Sequence, residues 1–200
     1  MAEKKNSRED QSTKEKVFNA AARLFARKGY YGVSMREISE LSGMSKPMIY
    51  YYFGNKEGIY TALVNVGLEE MTRNLENIQV LQLPVREKLT ELVKKHFRFC
   101  VKYPEFTRFF LNLHNYMEET PFLKQMHERA FDNRRKLIAM IEAGKQSGEF
   151  GPSANPKLAA EIMAGVMAHY SVRQLHSKSK ILNDKLAEEI VEFLFKGLNE

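Results

Sequence analysis

The chain is poor in the residues on which disulfide-rich and membrane-spanning proteins depend. It contains one cysteine, Cys100, so no disulfide can form within the chain, and a reducing compartment is expected. No apolar run approaches the roughly 18 residues that a membrane-spanning helix needs. The first 16 residues are polar and charged with no apolar stretch behind them, which predicts no secretory signal. These absences favour a cytoplasmic protein.

The sequence patterns of the common enzyme classes are absent as well. There is no glycine-rich phosphate loop and no nucleophile elbow. The five histidines show no His-Glu-x-x-His pattern and no other tight metal-binding spacing; they are His96, His114, His127, His169 and His176. We therefore expect a protein that is not an enzyme and has no metal site and no bound cofactor.

Helical periodicity runs through the chain, with no strand-like alternation, no repeat and no long heptad run. Turn signals divide it into about nine helices, which predicts an all-α fold. The predicted helices cover 13–28, 34–41, 45–53, 56–77, 84–102, 104–117, 121–146, 156–176 and 184–197. Residues 1–12 are charged and lack apolar periodicity, so they are predicted to form a disordered N-terminal arm.

The first predicted helix has a single apolar stripe at positions i, i+3, i+4, i+7 and i+8. The stripe consists of Val17, Ala20, Ala21, Leu24 and Phe25. We expect it to pack on Ile38, Leu41 and Ile49 of the next two helices. Such packing would give a three-helix core at the N-terminal end of the chain.

The most informative segment is 34–53, which is typical of two short helices joined by a glycine turn. Ser34 is a good N-cap, and Glu37 three residues later completes a capping box. Gly43 can adopt positive φ and so reverse the chain. Ser45 then caps a second helix that has a proline in its first turn. This pattern indicates a helix-turn-helix, whose second helix enters the major groove of DNA.

The basic excess of the chain is concentrated in the same region. The formal net charge is +6, and residues 1–60 contain 11 Lys and Arg against 7 Asp and Glu. Positive charge near phosphates adds affinity that weakens as salt rises. A charge run by itself is equally typical of a solvated face, so this observation supports the motif without replacing it.

Three stretches in and around this segment have a characteristic sequence. They are Ala-Ala-Ala-Arg-Leu-Phe-Ala-Arg-Lys-Gly-Tyr at 20–30, the helix at 34–41, and Ile-Tyr-Tyr-Tyr-Phe-Gly-Asn-Lys-Glu at 49–57. With them, residues 13 to about 62 resemble the DNA-binding domain of the tetracycline-repressor (TetR) family of bacterial transcription regulators. The resemblance implies a helix-turn-helix domain over 13–61 and a ligand-binding and dimerisation domain over 62–200.

The resemblance also implies which residues contact DNA. Phosphate contacts fall on Ser34, Tyr50, Tyr52 and Lys56. Contacts close to the bases fall on Lys46, Pro47, Met48 and Tyr51, with Ser45 at the start of the same helix. A lysine can donate to a guanine edge or a phosphate, and tyrosine hydroxyls can donate to phosphate oxygens. Three consecutive tyrosines on a helix point in three directions, so at least one should belong partly to the core.

The family layout implies a homodimer formed through the last two helices, about 156–176 and 184–198. Residues 158–170 are almost wholly apolar and rich in alanine and glycine, which permits close helix approach. The last helix offers Leu186, Ile190, Phe193, Leu194 and Leu198 at helical spacing. An antiparallel four-helix bundle between two chains would bury both surfaces. Burial within one chain would explain the same pattern.

Aromatic and methionine side chains in the second domain favour a pocket for a small hydrophobic ligand. The residues predicted to line it are Phe97, Phe109, Phe110, Asn112, His114, Met117, Phe131, Met163, Met167 and Tyr170. A packed core would use the same residue types. Cys100 is predicted to be a small buried hydrophobe rather than a redox sensor.

The sequence and the resemblance together predict a ligand-responsive transcription regulator. As a dimeric repressor it would bind a near-palindromic operator in double-stranded DNA and be released by a small hydrophobic effector of unknown identity. The helix predicted at 56–77 joins both domains and is the expected coupling element. The alternatives are an activator or architectural DNA-binding protein with no effector, and a helical enzyme or carrier with an accidental helix-turn-helix.

Overall fold

The computed structural model describes residues 2–113 and 121–199, and the side chains of 13–113 and 127–197. Nine helices and no strand lie in the described ranges, which confirms the predicted all-α class. The helices are α1 (Ala2–Lys28), α2 (Met35–Ser42), α3 (Lys46–Phe53), α4 (Lys56–Gln79), α5 (Val85–Lys102), α6 (Pro104–Leu113), α7 (Pro121–Gln146), α8 (Pro156–His176) and α9 (Asp184–Asn199).

The chain forms two compact units that do not follow the sequence order completely. The N-terminal unit contains residues 2–67 and 105–113, and the C-terminal unit contains 68–104 and 121–199. The division falls inside α4, a few residues after the boundary predicted at 62. It also places α6 in the N-terminal unit, where the Phe109 ring lies 5.4 Å from Tyr60 and 6.2 Å from Phe25. Sequence order alone carries no sign of this aromatic packing.

The first helix begins at Ala2, whereas the sequence predicts a disordered arm over 1–12 and a helix from Thr13. The difference has a local reason. Residues 2–12 contain no proline or glycine and are rich in Ala, Glu, Lys, Arg and Gln, all of which have high helix propensity. The apolar periodicity used for the prediction detects buried helix faces and not exposed helical turns.

The core of the N-terminal unit forms around the predicted stripe of α1. Val17, Ala21, Ile38 and Ile49 are fully buried. The expectation for Leu41 is wrong, because its side chain is 44% exposed. Two fully buried residues of α4, Ile59 and Leu63, complete the core instead. The sequence prediction of a three-helix core therefore underestimated the contribution of the fourth helix.

The C-terminal unit is built around α5, which packs against α7, α8 and α9. Its core contains Leu89, Val93 and Phe97 of α5, Ile141 of α7 and Val191 of α9. Cys100 is also buried, as predicted. The chain turns after α7 at Gly148, where φ is 80°, and Gly144 lies so close to the Phe150 ring that a Cβ atom there would clash.

Candidate DNA interface and effector site

The helix-turn-helix is held by local hydrogen bonds at both helix starts. At α2, the Ser34 hydroxyl accepts from the Glu37 backbone N–H at 3.3 Å, and the Ser34 N–H donates to the Glu37 carboxylate at 2.8 Å. This is the predicted capping box. At α3, the Ser45 hydroxyl accepts from the Met48 N–H at 3.4 Å. Gly43, between the helices, has φ of 68°, the left-handed conformation that the turn requires.

Glu37 also ties the start of α2 to the end of α1. Its carboxylate accepts a hydrogen bond from the Lys28 ammonium at 2.5 Å in addition to those from Ser34. The Lys28 contact and then the Ser34 contacts lower the pKa of the Glu37 carboxyl to about 2. The carboxylate is therefore ionised at neutral pH, and one acidic side chain fixes two helices.

Two serines that the sequence reasoning missed stabilise the turn itself. The Ser39 hydroxyl donates to the Met44 carbonyl at 2.7 Å, and the Met44 N–H donates to the Ser42 hydroxyl at 3.2 Å. Short hydroxyl side chains beside a turn glycine are typical of such contacts, so the sequence contained a usable signal. These bonds satisfy polar groups of the turn and hold α2 and α3 in register.

The third helix exposes most of its surface. Among its residues only Ile49 is buried. Tyr51 is 84% exposed, Tyr50 48% and Met48 42%, and Lys46 and Pro47 are also exposed. Five of the eight side chains of α3 are therefore exposed and available to a partner.

The remaining tyrosine of α3 is turned partly inward. The Lys14 ammonium lies 5.5 Å from the centre of the Tyr52 ring, which is only partly exposed. Phe53 beside it packs against Phe18 at 5.3 Å between ring centres. Tyr52 therefore braces α3 against α1 and offers less surface for a phosphate contact than Tyr50 and Tyr51 do.

Lys56, predicted to contact phosphate, uses its ammonium group within the protein. Its Nζ donates to the Tyr30 carbonyl at 3.0 Å and to the Val33 carbonyl at 2.9 Å, and it lies 4.5 Å from the centre of the Tyr30 ring. The start of α4 is capped by Asn55, whose side chain accepts from the Gly58 N–H. A phosphate contact through the Lys56 ammonium would therefore compete with two existing carbonyl bonds.

The residues predicted to line a ligand pocket are divided between the two units. Phe109, Phe110 and Asn112 belong to the N-terminal unit, where the Asn112 amide donates to the Ala26 carbonyl at 2.8 Å. In the C-terminal unit, Phe97 and Met163 are buried and Met167 and Tyr170 are partly buried in one core, while Phe131 is 60% exposed. His114 and Met117 lie outside the described residues.

A large cavity of the C-terminal unit lies between α4 and α7, and most of the residues that line it are polar or charged. Its volume is about 790 Å³, and we call it the α4–α7 cleft. Cations and carboxylates of both helices line it, including Glu69, Glu76, Arg129 and Lys136. The sequence prediction missed the cleft because it took apolar and aromatic residues as the sign of a ligand site. The polar spacing of Arg129, Asn133 and Lys136 at i, i+4 and i+7 was the available signal.

A polar cluster is enclosed between α5 and α8. The Nε2 atom of His96 lies 3.0 Å from the Ser171 hydroxyl and 3.5 Å from the Cys100 sulfur. Burial lowers the pKa of His96 to about 4, so the imidazole is neutral at physiological pH. A neutral imidazole does not promote thiolate formation at Cys100. The cluster is consistent with a structural hydrogen-bond network.

The described part of the chain contains neither a metal-binding cluster nor a membrane-spanning helix. Across the side chains of 13–113 and 127–197, no group of three or more His, Cys, Asp and Glu residues is placed to hold a metal ion. Within the same ranges, no helix combines the length and apolar character needed to cross a bilayer.

Two known families match the chain, one for each part of it. The family described as "Bacterial regulatory proteins, tetR family" matches residues 17–63. The family described as "Tetracyclin repressor-like, C-terminal domain" matches residues 82–198, which is more than half of the chain.

Individual proteins resemble the chain over most of its length. The HTH-type transcriptional repressor NicS of Pseudomonas putida is 26% identical over 187 residues, covering 88% of this chain and 84% of that protein. The structure of regulator FadR from Bacillus subtilis in complex with stearoyl-CoA has a TM-score of 0.72 at 22% identity, covering 92% and 98% of the two chains. That of AibR in complex with isovaleryl coenzyme A and operator DNA has a TM-score of 0.69 at 19% identity, covering 94% and 98%.

The fold, the exposed third helix and these matches agree with one another. The N-terminal match includes the whole helix-turn-helix, and the C-terminal match extends from just before α5 into α9. The chain belongs to the tetR family of bacterial regulatory proteins and is a DNA-binding regulator of transcription.

Proposed function

We propose that the protein is a homodimeric repressor that binds a near-palindromic operator and leaves it when a small ligand binds. Two copies of α3 would enter successive major grooves, whose centres lie about 34–36 Å apart. A repressor bound over a promoter acts by excluding the transcription machinery. Because such a repressor acts on the bacterial chromosome, we infer that the protein is cytoplasmic.

The observation that carries the DNA-binding proposal is the surface of α3. Lys46, Met48 and Tyr51 are exposed without contributing to the core, while Ile49 is the one buried residue of the helix. Lysine can donate to a guanine edge, and methionine can contact a thymine methyl group. The Tyr50 and Tyr51 hydroxyls are available to phosphate oxygens. Sequence readout through one lysine, without the bidentate fork of an arginine, should be moderately selective.

The dimer proposal is supported by apolar stripes on the last two helices. On α8, the exposed positions at spacings of four and three are Leu158, Ile162, Gly165, His169 and Val172. On α9, Leu186 and Ile190 are partly buried, and Phe193 is 82% exposed. A phenylalanine so exposed in a single chain has no stabilising role there, and a second copy would bury it. Gly165 has open space around it, which permits close helix approach.

We propose that the effector is a coenzyme A thioester. Two of the similar structures contain stearoyl-CoA and isovaleryl coenzyme A, ligands that differ greatly in acyl length. A ligand that prefers the DNA-free form of the dimer by about 100-fold would weaken operator binding by about 2.7 kcal/mol per site. Because α4 contributes residues to both units, it is the proposed coupling element.

The repressor proposal is tested by selecting, with the purified protein, the genomic DNA fragments that it retains at about 150 mM salt. At this salt concentration non-specific DNA binding is weakened, so specific sites are retained preferentially. We expect enrichment of one near-palindromic site. On that site, Lys46→Ala should lower affinity and reduce the salt slope by about one per protomer. Tyr51→Ala should lower affinity by about 1–3 kcal/mol if the ring and hydroxyl contact the DNA.

Lys178→Ala is the matched control, because Lys178 is an exposed lysine of the C-terminal unit. It should leave both the affinity and the salt slope unchanged. Equal losses for Lys46→Ala and Lys178→Ala would mean that the overall charge matters and that α3 does not read the DNA. Enrichment of a site that the protein activates in a transcription assay would favour the activator alternative.

A further inference from the structure

The α4–α7 cleft contains a buried amide with one polar atom left without a partner. Asn133 is 1% exposed, and its Oδ1 lies 3.0 Å from the Thr72 hydroxyl. Among the side chains that the structure describes, none is a hydrogen-bond partner of the Asn133 Nδ2. The Thr72 hydroxyl also donates to the Leu68 carbonyl at 2.8 Å, so its single proton cannot serve both acceptors. Whichever way the amide is turned, one of its polar atoms is left without a hydrogen-bond partner among the described residues, at the wall of the cleft.

Two ion pairs lie along α4 and α7 on either side of this amide. Glu69 and Arg129 approach to 3.9 Å, and Glu76 and Lys136 approach to 2.6 Å. The earlier residue on α4 pairs with the earlier residue on α7, and the later with the later, so the two helices run parallel here. All four side chains are partly exposed, and such pairs are weak because solvent screens them. An incoming anion can therefore replace either carboxylate as the partner of its cation.

The dimensions of the cleft indicate an extended ligand. It is lined from Glu69 to Gln79 on α4 and from Arg129 to Ala139 on α7. Ten residues of helix correspond to about 15 Å. A single carboxylate would engage one end of such a cleft, whereas several phosphate groups on one molecule can meet Arg129 and Lys136 together. Its volume of about 790 Å³ is within the usual range for ligands of this size.

We propose that the α4–α7 cleft binds the phosphate-bearing head of the effector. Arg129 and Lys136 exchange their carboxylate partners for phosphate oxygens, and Asn133 hydrogen-bonds the polar part of the ligand between them. This inference rests on the proposed thioester effector and goes beyond it by assigning the head to named residues. Arginine and lysine are the side chains that proteins use for phosphate, arginine through its planar fork.

The test is titration calorimetry of the full-length protein with stearoyl-CoA, isovaleryl coenzyme A, coenzyme A itself and stearate. We expect the Arg129→Gln/Lys136→Gln double variant to bind both thioesters and free coenzyme A at least about 10-fold more weakly, as the loss of charge-assisted bonds predicts. Asn133→Leu, which replaces the amide by an apolar side chain of similar size, should weaken binding about 3-fold or more.

Arg98→Gln is the matched control, because Arg98 is a partly exposed arginine paired with Asp184 outside the cleft. It should keep the affinity of the native protein within about 2-fold, since surface pairs contribute little. If the double variant binds the thioesters as tightly as the native protein does, the cleft assignment is wrong. The cleft assignment is also wrong if stearate and stearoyl-CoA bind with equal affinity, both to the native protein and to the double variant.

Operator binding by the same preparations separates this inference from the repressor proposal. If the native protein binds its operator but no thioester and no coenzyme A, the phosphate-head assignment is wrong and the DNA-binding proposal stands. If it binds coenzyme A through the cleft but selects no operator, the cleft assignment stands and the repressor proposal fails. A stability change in Asn133→Leu with unaltered thioester affinity would mean that the amide is only structural.

Discussion

At the scale of single residues, Lys56 and His96 have roles that differ from what their residue types suggest. A lysine next to a DNA-reading helix is expected to contact phosphate, yet the Lys56 ammonium is bonded to two backbone carbonyls. A histidine is expected to titrate near neutral pH, yet burial lowers the pKa of His96 to about 4 and keeps the imidazole uncharged. In both cases the surroundings of the side chain decide its chemistry, and sequence spacing does not describe those surroundings.

Replacing Lys56 should affect stability before it affects DNA recognition. In Lys56→Met the Tyr30 and Val33 carbonyls lose their donor, which should cost about 1–3 kcal/mol of unfolding free energy. The measurement is urea unfolding at neutral pH, with Lys46→Met as the matched control because Lys46 is exposed on α3. Equal stability of the two variants would contradict the structural role of Lys56.

His96 should make the protein less stable in mild acid. Its pKa is about 4 in the folded chain, against the ordinary value of 6.5, so between these two pH values only the unfolded chain takes up the proton. Stability is therefore lost as pH falls from about 6.5 towards 4, by about 2 kcal/mol at pH 5. Urea unfolding at pH 7 and pH 5 measures this loss.

The control for that pH dependence is His96→Gln, which cannot titrate. Between pH 7 and pH 5, the unfolding free energy of both proteins should fall. The fall should be about 2 kcal/mol smaller for the variant than for the native chain. Glu37 does not interfere, because its folded pKa of about 2 affects stability only below its ordinary value of 4.5. Identical pH profiles for the native protein and the variant would show that His96 is not the titrating group.

At the scale of helices, the parts with strong local signals were predicted well. The capping box of Ser34 and Glu37, the Ser45 cap and the turn at Gly43 all follow from short-range chemistry, and all are present. Long-range packing was not predictable in this way. The placement of α6 in the N-terminal unit and the exposure of Leu41 depend on residues distant in sequence. The charged cleft was missed because polar stripes on helices normally face solvent.

Gly43 gives an element-scale prediction. Its φ of 68° is strained for other residues, although nothing lies within 4 Å of a Cβ placed there. Gly43→Ala should therefore cost about 1–2 kcal/mol through the backbone alone. Gly43→Asn should cost less, because asparagine tolerates this conformation better. Thermal unfolding checks the order, and an alanine variant as stable as the asparagine variant would contradict the backbone explanation.

At the scale of the whole molecule, the two parts of the chain have different kinds of exposed surface. The N-terminal unit exposes basic and aromatic side chains on a small helix, whereas α8 and α9 expose aliphatic residues and Phe193. The first kind of surface is suited to DNA and the second to a copy of the same chain. The proposed dimer connects them, because two half-sites one helical turn apart require two recognition helices.

Dimer formation is tested by placing a charge on the apolar stripe of α8. Ile162 is 48% exposed in the single chain, so Ile162→Glu should leave the fold intact while burying an unpaired charge in any dimer. We expect a monomer in analytical ultracentrifugation and loss of palindromic operator binding. Lys185→Glu on α9, at a side chain 83% exposed, is the control and should remain dimeric. An Ile162→Glu protein that stays dimeric would rule out this face.

The sparse anchoring of α3 has an evolutionary consequence. Since Ile49 is the one buried residue of that helix, substitutions at Lys46, Met48 or Tyr51 should change stability by no more than about 0.5 kcal/mol, as is usual for exposed sites. New operators can then be acquired by point mutation without compensating changes in the core. Gene duplication followed by divergence at these three positions would yield regulators that address different promoters while keeping the same scaffold.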